Sequence, residues 1–218
     1  MNQVRTVSAV DVAASLSPHL AMYRHKAPSY QTDMLNSLLR VWQGAPERLL
    51  DIGGGTGVIG QCIADLFPVG SVTAIDVVDR FCPGLTIETR TYDGARLPFD
   101  DGSFDAATMN NVLHHVPIPV RPHLLAEIRR VVAGPLYIKD HVQAGWLDRA
   151  RLSVLDFIGN IPFGGMVSAD YLSDAEWRAL AAGAGYRIAE TVNARYRNGP
   201  FAMLFPNRLE TTMRWEMS

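Results

Sequence analysis

The chain has 218 residues, of which 48% are hydrophobic, and 20 basic against 22 acidic side chains give a formal net charge of −2. Such length and apolar content suffice for one sizeable domain with a real core, which excludes a disordered chain or a disulfide-stapled miniature. The near-neutral balance offers no overall electrostatic footprint for a nucleic-acid backbone.

The two cysteines, Cys62 and Cys82, are not in CxxC spacing and have no clustered histidines beside them. Neither a disulfide framework nor a zinc site is therefore expected, and a reducing cytoplasm suits the chain. The first twenty residues lack a long apolar core with a cleavage site, and no stretch reaches the roughly 18 to 20 apolar residues of a membrane span. A soluble, cytoplasmic protein is expected.

Residues 15–42 read as helical, with Ser17 as cap, Pro18 in the first turn and Leu35, Leu38, Leu39 and Trp42 at helical spacing. They would form an N-terminal helical cap over residues 1–44, closed by Gly44 and Pro46. Short apolar runs follow at "RLLDIG", "SVTAIDV", "LTIETRTY", "FDAATMNNV" and "GPLYIKD", separated by helical stretches such as "GVIGQCIADLF" and "VRPHLLAEIRRVV". This alternation predicts an α/β fold with a doubly wound, mostly parallel sheet of Rossmann-like type, in a single domain over 1–218 whose cofactor-binding core spans 45–145. Further on, "SDAE" at 173–176 is a capping box that opens a helix through Trp177 and Leu180, stopped by Gly183 to Gly185. Strands at 186–197 and 201–206, joined by an Asn198-Gly199 type I′ turn, predict a C-terminal antiparallel hairpin.

"LLDIGGGTGVIG", residues 49–60, packs five glycines into the loop after the first strand. Gly55 to Gly60 match GxGxxG, and Asp76 lies at about the spacing of a ribose-binding acid, which supports an NAD(P)-dependent oxidoreductase. Shifting the frame back gives Asp51-Ile52-Gly53-Gly54-Gly55-Thr56-Gly57, a D-x-G-x-G-x-G loop that opens on a carboxylate. A carboxylate about 5 Å from one negative charge costs about 3 kcal/mol at an effective dielectric near 20, so a pyrophosphate is disfavoured there while an ammonium and a sulfonium gain. The blander reading of Asp51 turns its side chain away to cap a backbone amide.

Over most of residues 45–145 the sequence resembles the class I S-adenosylmethionine-dependent methyltransferases, in the small-molecule branch of the ubiquinone and menaquinone C-methyltransferases. Four stretches in order carry the resemblance: "LLDIGGGTG", "VTAIDV", "YDGARLPFDDGSFDAATMNNVLHHV" and "LLAEIRRVVAGPLYIKDH". It implies S-adenosyl-L-methionine as cofactor, with Gly53, Gly55 and Gly57 letting the backbone approach the methionine portion and Asp51 orienting the ammonium. It further implies Asp76 on the ribose hydroxyls, Val77 against the adenine, Asp93 and Gly94 reading the adenine edge, and Asn110 under the methionine moiety. All of these fall at carboxyl ends of parallel strands, where an open α/β sheet leaves its crevice. Only "VVDRFCPG" separates Asp76 from the next strand, so the usual crossover helix is expected to be missing, leaving Arg80 or Phe81 to close the adenine flank or the flank more open.

Displacement at a sulfonium methyl draws most of its acceleration from positioning, and a base is needed only for a protonated acceptor. His141 and His115 are the candidate bases, His114 reads as structural, and Lys139 reads as solvated or helix-facing. No metal is expected. The apolar, glycine-punctuated segment 153–172 reads as a lid, or else as core or dimer contact, and together with "HLAMYRHKAPSY" it suggests a small, apolar or aromatic acceptor. "MNNV" after the fourth strand lacks the proline-aromatic signature of nucleic-acid amino-methyltransferases, so no nucleic acid is expected. A non-catalytic cofactor-binding protein is the remaining reading.

Overall fold

The computed structural model describes residues 6–160 and 169–218. Seven strands form one sheet in the order β3-β2-β1-β4-β5-β7-β6: β1 (Arg48–Ile52), β2 (Ser71–Asp76), β3 (Glu88–Thr91), β4 (Ala106–Asn110), β5 (Leu136–His141), β6 (Tyr186–Val192) and β7 (Glu210–Met217). The first five strands pair in parallel, and β7 lies antiparallel between β5 and β6. From β1 the chain winds outward through β2 to β3, then returns to the other side of β1 with β4. That reversal opens a crevice over the carboxyl ends of β1 and β4.

The central strands are buried on both faces, which is why they read as continuous apolar runs. Successive residues serve opposite faces. Leu50 and Ile52 join the cluster packed by α4 (Arg121–Val131) and α6 (Asp174–Gly183), while Leu49 joins the one packed by α1 (Ala9–Leu16), α2 (Ser29–Val41) and α3 (Val58–Leu66). Each fully buried leucine contributes about 1.5–3 kcal/mol.

The single N-terminal helix expected over 15–42 is two helices joined by a 3₁₀ turn at Ala21–Arg24. Ser8 opens α1, accepting from the Asp11 amide while Asp11 accepts from the Ser8 amide, both at 3.2 Å. Ser17 closes that helix, and Pro18, which lacks an N–H, marks a stop where a start was expected. Leu35, Leu38 and Leu39 are buried as their spacing predicts, and Trp42 stacks on Tyr137 at 4.5 Å.

At the C-terminus the Ser173/Glu176 box does open α6, and an antiparallel pair ends the sheet. Its second strand is β7, however, and Gly199–Leu204 forms α7 instead of the expected strand at 201–206. Gly199 has φ +57 but is followed by Pro200, whose fixed φ suits the first helical turn, so the Asn-Gly pair opens a helix, with Asn198 at its N-cap, rather than making a hairpin turn.

The β2–β3 connection, residues 77–87, carries no helix. It is tied down instead: the Cys82 amide donates to the Thr56 carbonyl at 2.9 Å, and a His19 ring nitrogen stands 3.2 Å from the Pro83 carbonyl. Leu85 packs under the glycine loop, 2.5 Å from where a Cβ on Gly57 would sit.

Lys139 on β5 is fully buried and faces α2. Its ammonium donates to the Tyr30 hydroxyl at 2.6 Å, to Asn111 Oδ1 at 2.7 Å and to the Glu210 carboxylate, which Arg197 also engages. The rings of Tyr30 and Tyr196 lie 5.0 and 5.2 Å away. Glu210→Ala would strand two buried cations, a change that removes about 3–5 kcal/mol of stability for a broken buried pair. Urea unfolding followed by tryptophan fluorescence should show that loss, and adding Lys139→Met should recover part of it.

Candidate functional site

The crevice holds a cavity of ≈ 440 Å³. One wall is the glycine loop after β1, where Gly53, Gly55 and Gly57 take φ of +68, +59 and +78, values in the left-handed region that favours glycine. The amides of Gly53 and Gly54 both donate to the Ile75 carbonyl, at 2.8 and 3.0 Å, fixing the loop against the end of β2. Gly57 precedes the first turn of α3 and lies off the cavity wall, against Leu85 and Phe81.

Asp76, 3% exposed, lines the cavity at the tip of β2. One carboxylate oxygen accepts from the Gly55 amide at 2.8 Å and stands 3.6 Å from the Arg80 guanidinium, and the other accepts from the Val78 amide at 3.0 Å. Carboxylate oxygens have lone pairs to spare, so these bonds orient the acid without exhausting it. Val77 and Arg80 line the cavity beside it, whereas Phe81 packs under the loop.

Asp51 sits behind the loop rather than on the cavity wall. Its Oδ1 accepts from Thr108 Oγ1 at 2.8 Å and from Asn110 Nδ2 at 3.4 Å. Burial pushes its pKa up to about 6, against the pull of those two hydrogen bonds. Asn110 does line the cavity, and with its amide group turned to Asp51 its Oδ1 is buried without a hydrogen-bond partner.

After β3 the wall is made by Tyr92 and Gly94. The exposed Asp93 carboxylate accepts from the Ala95 and Arg96 amides, at 2.8 and 3.2 Å, so it shapes the turn that presents Gly94. Sequence reasoning passed over Tyr92, whose signal was an aromatic residue directly before the Asp-Gly pair.

The two candidate bases are separated by the structure. His115, in a 3₁₀ turn at Leu113–His115, lines the cavity together with the apolar Val112, Val116 and Leu124. His141 is buried off the wall, its ring edge-on to His114 at 4.8 Å and its Nδ1 3.6 Å from Asp140. Burial lowers its pKa, opposed by the Asp140 carboxylate. His114 is held between two acids, Nδ1 at 2.5 Å from Asp140 and Nε2 at 3.3 Å from Asp156. Burial works against its charged form, but the two carboxylates outweigh burial and push the pKa up to about 9.

Of the expected lid, residues 161–168, including Phe163, lie outside the described residues. Before them runs α5 (Trp146–Asn160), on which Phe157 is exposed; after them the Asp170 amide donates to the His114 carbonyl at 2.7 Å. No described helix is long and apolar enough to cross a membrane.

Residues 50–134 match the methyltransferase domain family. The malonyl-[acyl-carrier protein] O-methyltransferase of Geobacter sulfurreducens is 28% identical over 66% of this chain, which spans only 57% of that protein's length. The ubiquinone/menaquinone biosynthesis C-methyltransferase of Paracoccus denitrificans is 29% identical over 66% of this chain and 70% of its own. In fold, the chain resembles the magnesium protoporphyrin IX methyltransferase of Synechocystis PCC 6803, solved with bound S-adenosylhomocysteine, with a TM-score of 0.59 and 18% identity over 90% of this chain and 87% of that one.

The loop geometry separates two glycine substitutions. Gly55→Ala has room, with the nearest atoms, on Arg80, 3.9 Å from the new methyl, so only its left-handed φ is penalised, by about 1–2 kcal/mol. Gly53→Ala adds an overlap with Val112 Cγ2 at 2.6 Å and should be the more destabilising of the two in chemical denaturation.

Proposed function

We propose, for a chain that belongs to the class I S-adenosylmethionine-dependent methyltransferases, that it binds S-adenosyl-L-methionine in this cavity and transfers the methyl group to a small, apolar or aromatic acceptor. The observation that carries the reading is one wall with two complementary acceptors: the oriented Asp76 carboxylate, fit for vicinal hydroxyls, and the buried, unpartnered Asn110 Oδ1, fit for an ammonium. Asp51 then acts one step back. It holds the Asn110 amide group in place at the cavity wall, and its negative charge favours a cationic ligand.

The other roles follow from the walls. Gly53 and Gly55 let the backbone come close to the methionine portion, Val77 and Tyr92 flank the adenine, and the turn fixed by Asp93 presents Gly94 to its edge. The cofactor, once bound, supplies a methyl group on a sulfonium, a leaving group that departs neutral. What the chain contributes is placement, for which effective molarities of about 10⁵ M or more are available. Val112, Val116 and Leu124 make the remaining wall apolar, which supports an apolar or aromatic acceptor, and His115 is the imidazole that faces it.

The nicotinamide reading is not favoured. The last glycine of the literal GxGxxG, Gly60, lies in α3, where an added Cβ would be 3.1 Å from Asp51 Oδ2 and from Ile87, a packing role that the third glycine has in either fold, so the preference rests on the methyltransferase relatives and on the buried Asp51 carboxylate behind the loop. In a thermal-shift assay S-adenosylhomocysteine should stabilise the protein and NADH should not; the reverse would overturn the proposal. Transfer of labelled methyl groups into a cell extract would test catalysis itself.

Asp76→Ala should weaken S-adenosylhomocysteine binding by about 1.5–3 kcal/mol, the range for charge-assisted hydrogen bonds, as read by calorimetry on variant shown to be folded. The raised Asp51 pKa adds a pH signature. An ammonium ligand favours the ionised acid, so affinity should be highest above pH 6 to 7 and fall as pH drops through about 6. Asp51→Asn should remove that dependence across a pH series of titrations.

A further inference from the structure

Beneath the loop after β4, side chains from three parts of the chain converge on His114. We propose that His114 Nε2, His115 and Asp156 bind one divalent ion of the zinc, cobalt or manganese kind at the edge of the cavity. Each of the three residues offers a ligand atom, and these atoms all lie within 4.8 Å of one another. Around an ion with bonds of about 2.1 Å the ligand atoms stand about 3 to 3.5 Å apart, so the His115 ring, its centroid now 4.0 Å from that of the His114 ring, would have to turn to close the set.

The outer arrangement supports the inner one. A metal-binding imidazole characteristically donates its other ring N–H to a carboxylate, which sets the tautomer and aims the ligating nitrogen. Here His114 Nδ1 is 2.5 Å from Asp140, itself fixed by the amides of Leu113 and His141 at 3.0 and 2.7 Å. The other nitrogen, Nε2, is buried and stands 3.3 Å from Asp156 without a well-aligned hydrogen bond, and an ion binding there would displace the proton that the two carboxylates favour on this ring. Asp156 is held in turn by the Tyr171 hydroxyl at 2.5 Å. The alternative set, His114 with Asp140 and His141, would need the ring nitrogen already bonded to Asp140, so Asp140 belongs to the support.

Two imidazoles and one carboxylate suit borderline ions rather than calcium or magnesium, which prefer oxygen donors throughout. His115 lines the cavity, so open positions on the ion would face the acceptor space. If the methyl-transfer reading holds, an ion there would grip an oxygen-bearing acceptor and lower its pKa, work that an imidazole base would otherwise perform. Binding of the ion does not itself depend on that reading. Because Asp156 comes from α5, the ion would also tie that helix to the sheet.

The test is titration of the metal-free full chain with Co²⁺, read by its visible absorption, with Zn²⁺ as competitor. One equivalent should bind with a spectrum of low coordination number, and His115→Ala and Asp156→Asn should each weaken binding at least tenfold with unchanged circular dichroism. Asp140→Asn should weaken it about 10- to 100-fold through the outer arrangement. Wild-type affinity in folded His115→Ala would overturn the site, and that variant decides alone if Asp156→Asn does not fold. Calorimetry with S-adenosylhomocysteine on the same protein separates the two ideas. Cofactor binding without Co²⁺ binding overturns the ion site and leaves methyl transfer standing; Co²⁺ binding that the variants lose supports the site even if the cofactor does not bind.

Discussion

Two amides share one carbonyl at the centre of this molecule. Gly53 and Gly54 both donate to Ile75, and that join locks the loop after β1 to the end of β2 in a left-handed path that side chains would oppose. Asp76 follows Ile75 immediately, so the same join sets its carboxylate against the Gly55 amide. The cavity therefore inherits its geometry from backbone bonds rather than from adjustable side chains. Even the shortened β2–β3 connection serves this arrangement, since Leu85 and Phe81 fill the space under Gly57 and leave Arg80 beside Asp76 on the wall.

The second constraint is the way β5 separates polar groups. Adjacent strand residues point to opposite faces, so Lys139 goes to the face of α2 and Asp140 to the face of His114. Each is fully buried and each is answered: Lys139 by Glu210, Tyr30 and Asn111, Asp140 by His114 and two amides. A single buried charge left alone would be untenable, and two networks on one strand make its end rigid.

That rigidity reaches the site through Asn111, which has φ +56, a left-handed conformation uncommon outside glycine. Its amide donates to the Lys139 carbonyl at 2.8 Å and its side-chain oxygen accepts from the Lys139 ammonium. Backbone strain of about 1–3 kcal/mol persists only where the surroundings over-determine it, and here they do. The turn at Asn111 places Asn110 on the cavity wall and swings the chain toward His114 and His115. A lysine that reads as a surface or helix-facing residue is thus part of what shapes the acceptor end.

Local sequence determined whatever depends on backbone preference or on periodic burial. The strand and helix alternation, the glycine loop, Asp76 at a strand tip, the Ser173/Glu176 box and an antiparallel pair at the end of the sheet were all legible, because each is written within a few residues. Where a local signal supports two outcomes, neighbours in sequence did not decide between them. Ser17-Pro18 can start or stop a helix, and Asn198-Gly199 can turn a hairpin or open a proline-led helix; the structure takes the second course in each case. The polar constellations were beyond sequence for a different reason. Asp51 turned behind its loop because Thr108 and Asn110 lie on the neighbouring strand, His115 rather than His141 reached the cavity because the chain swings after β4, and Asp156 met His114 across α5. Which charges share a buried space is fixed by strand order and helix docking, and those distances exist only once the sheet has formed.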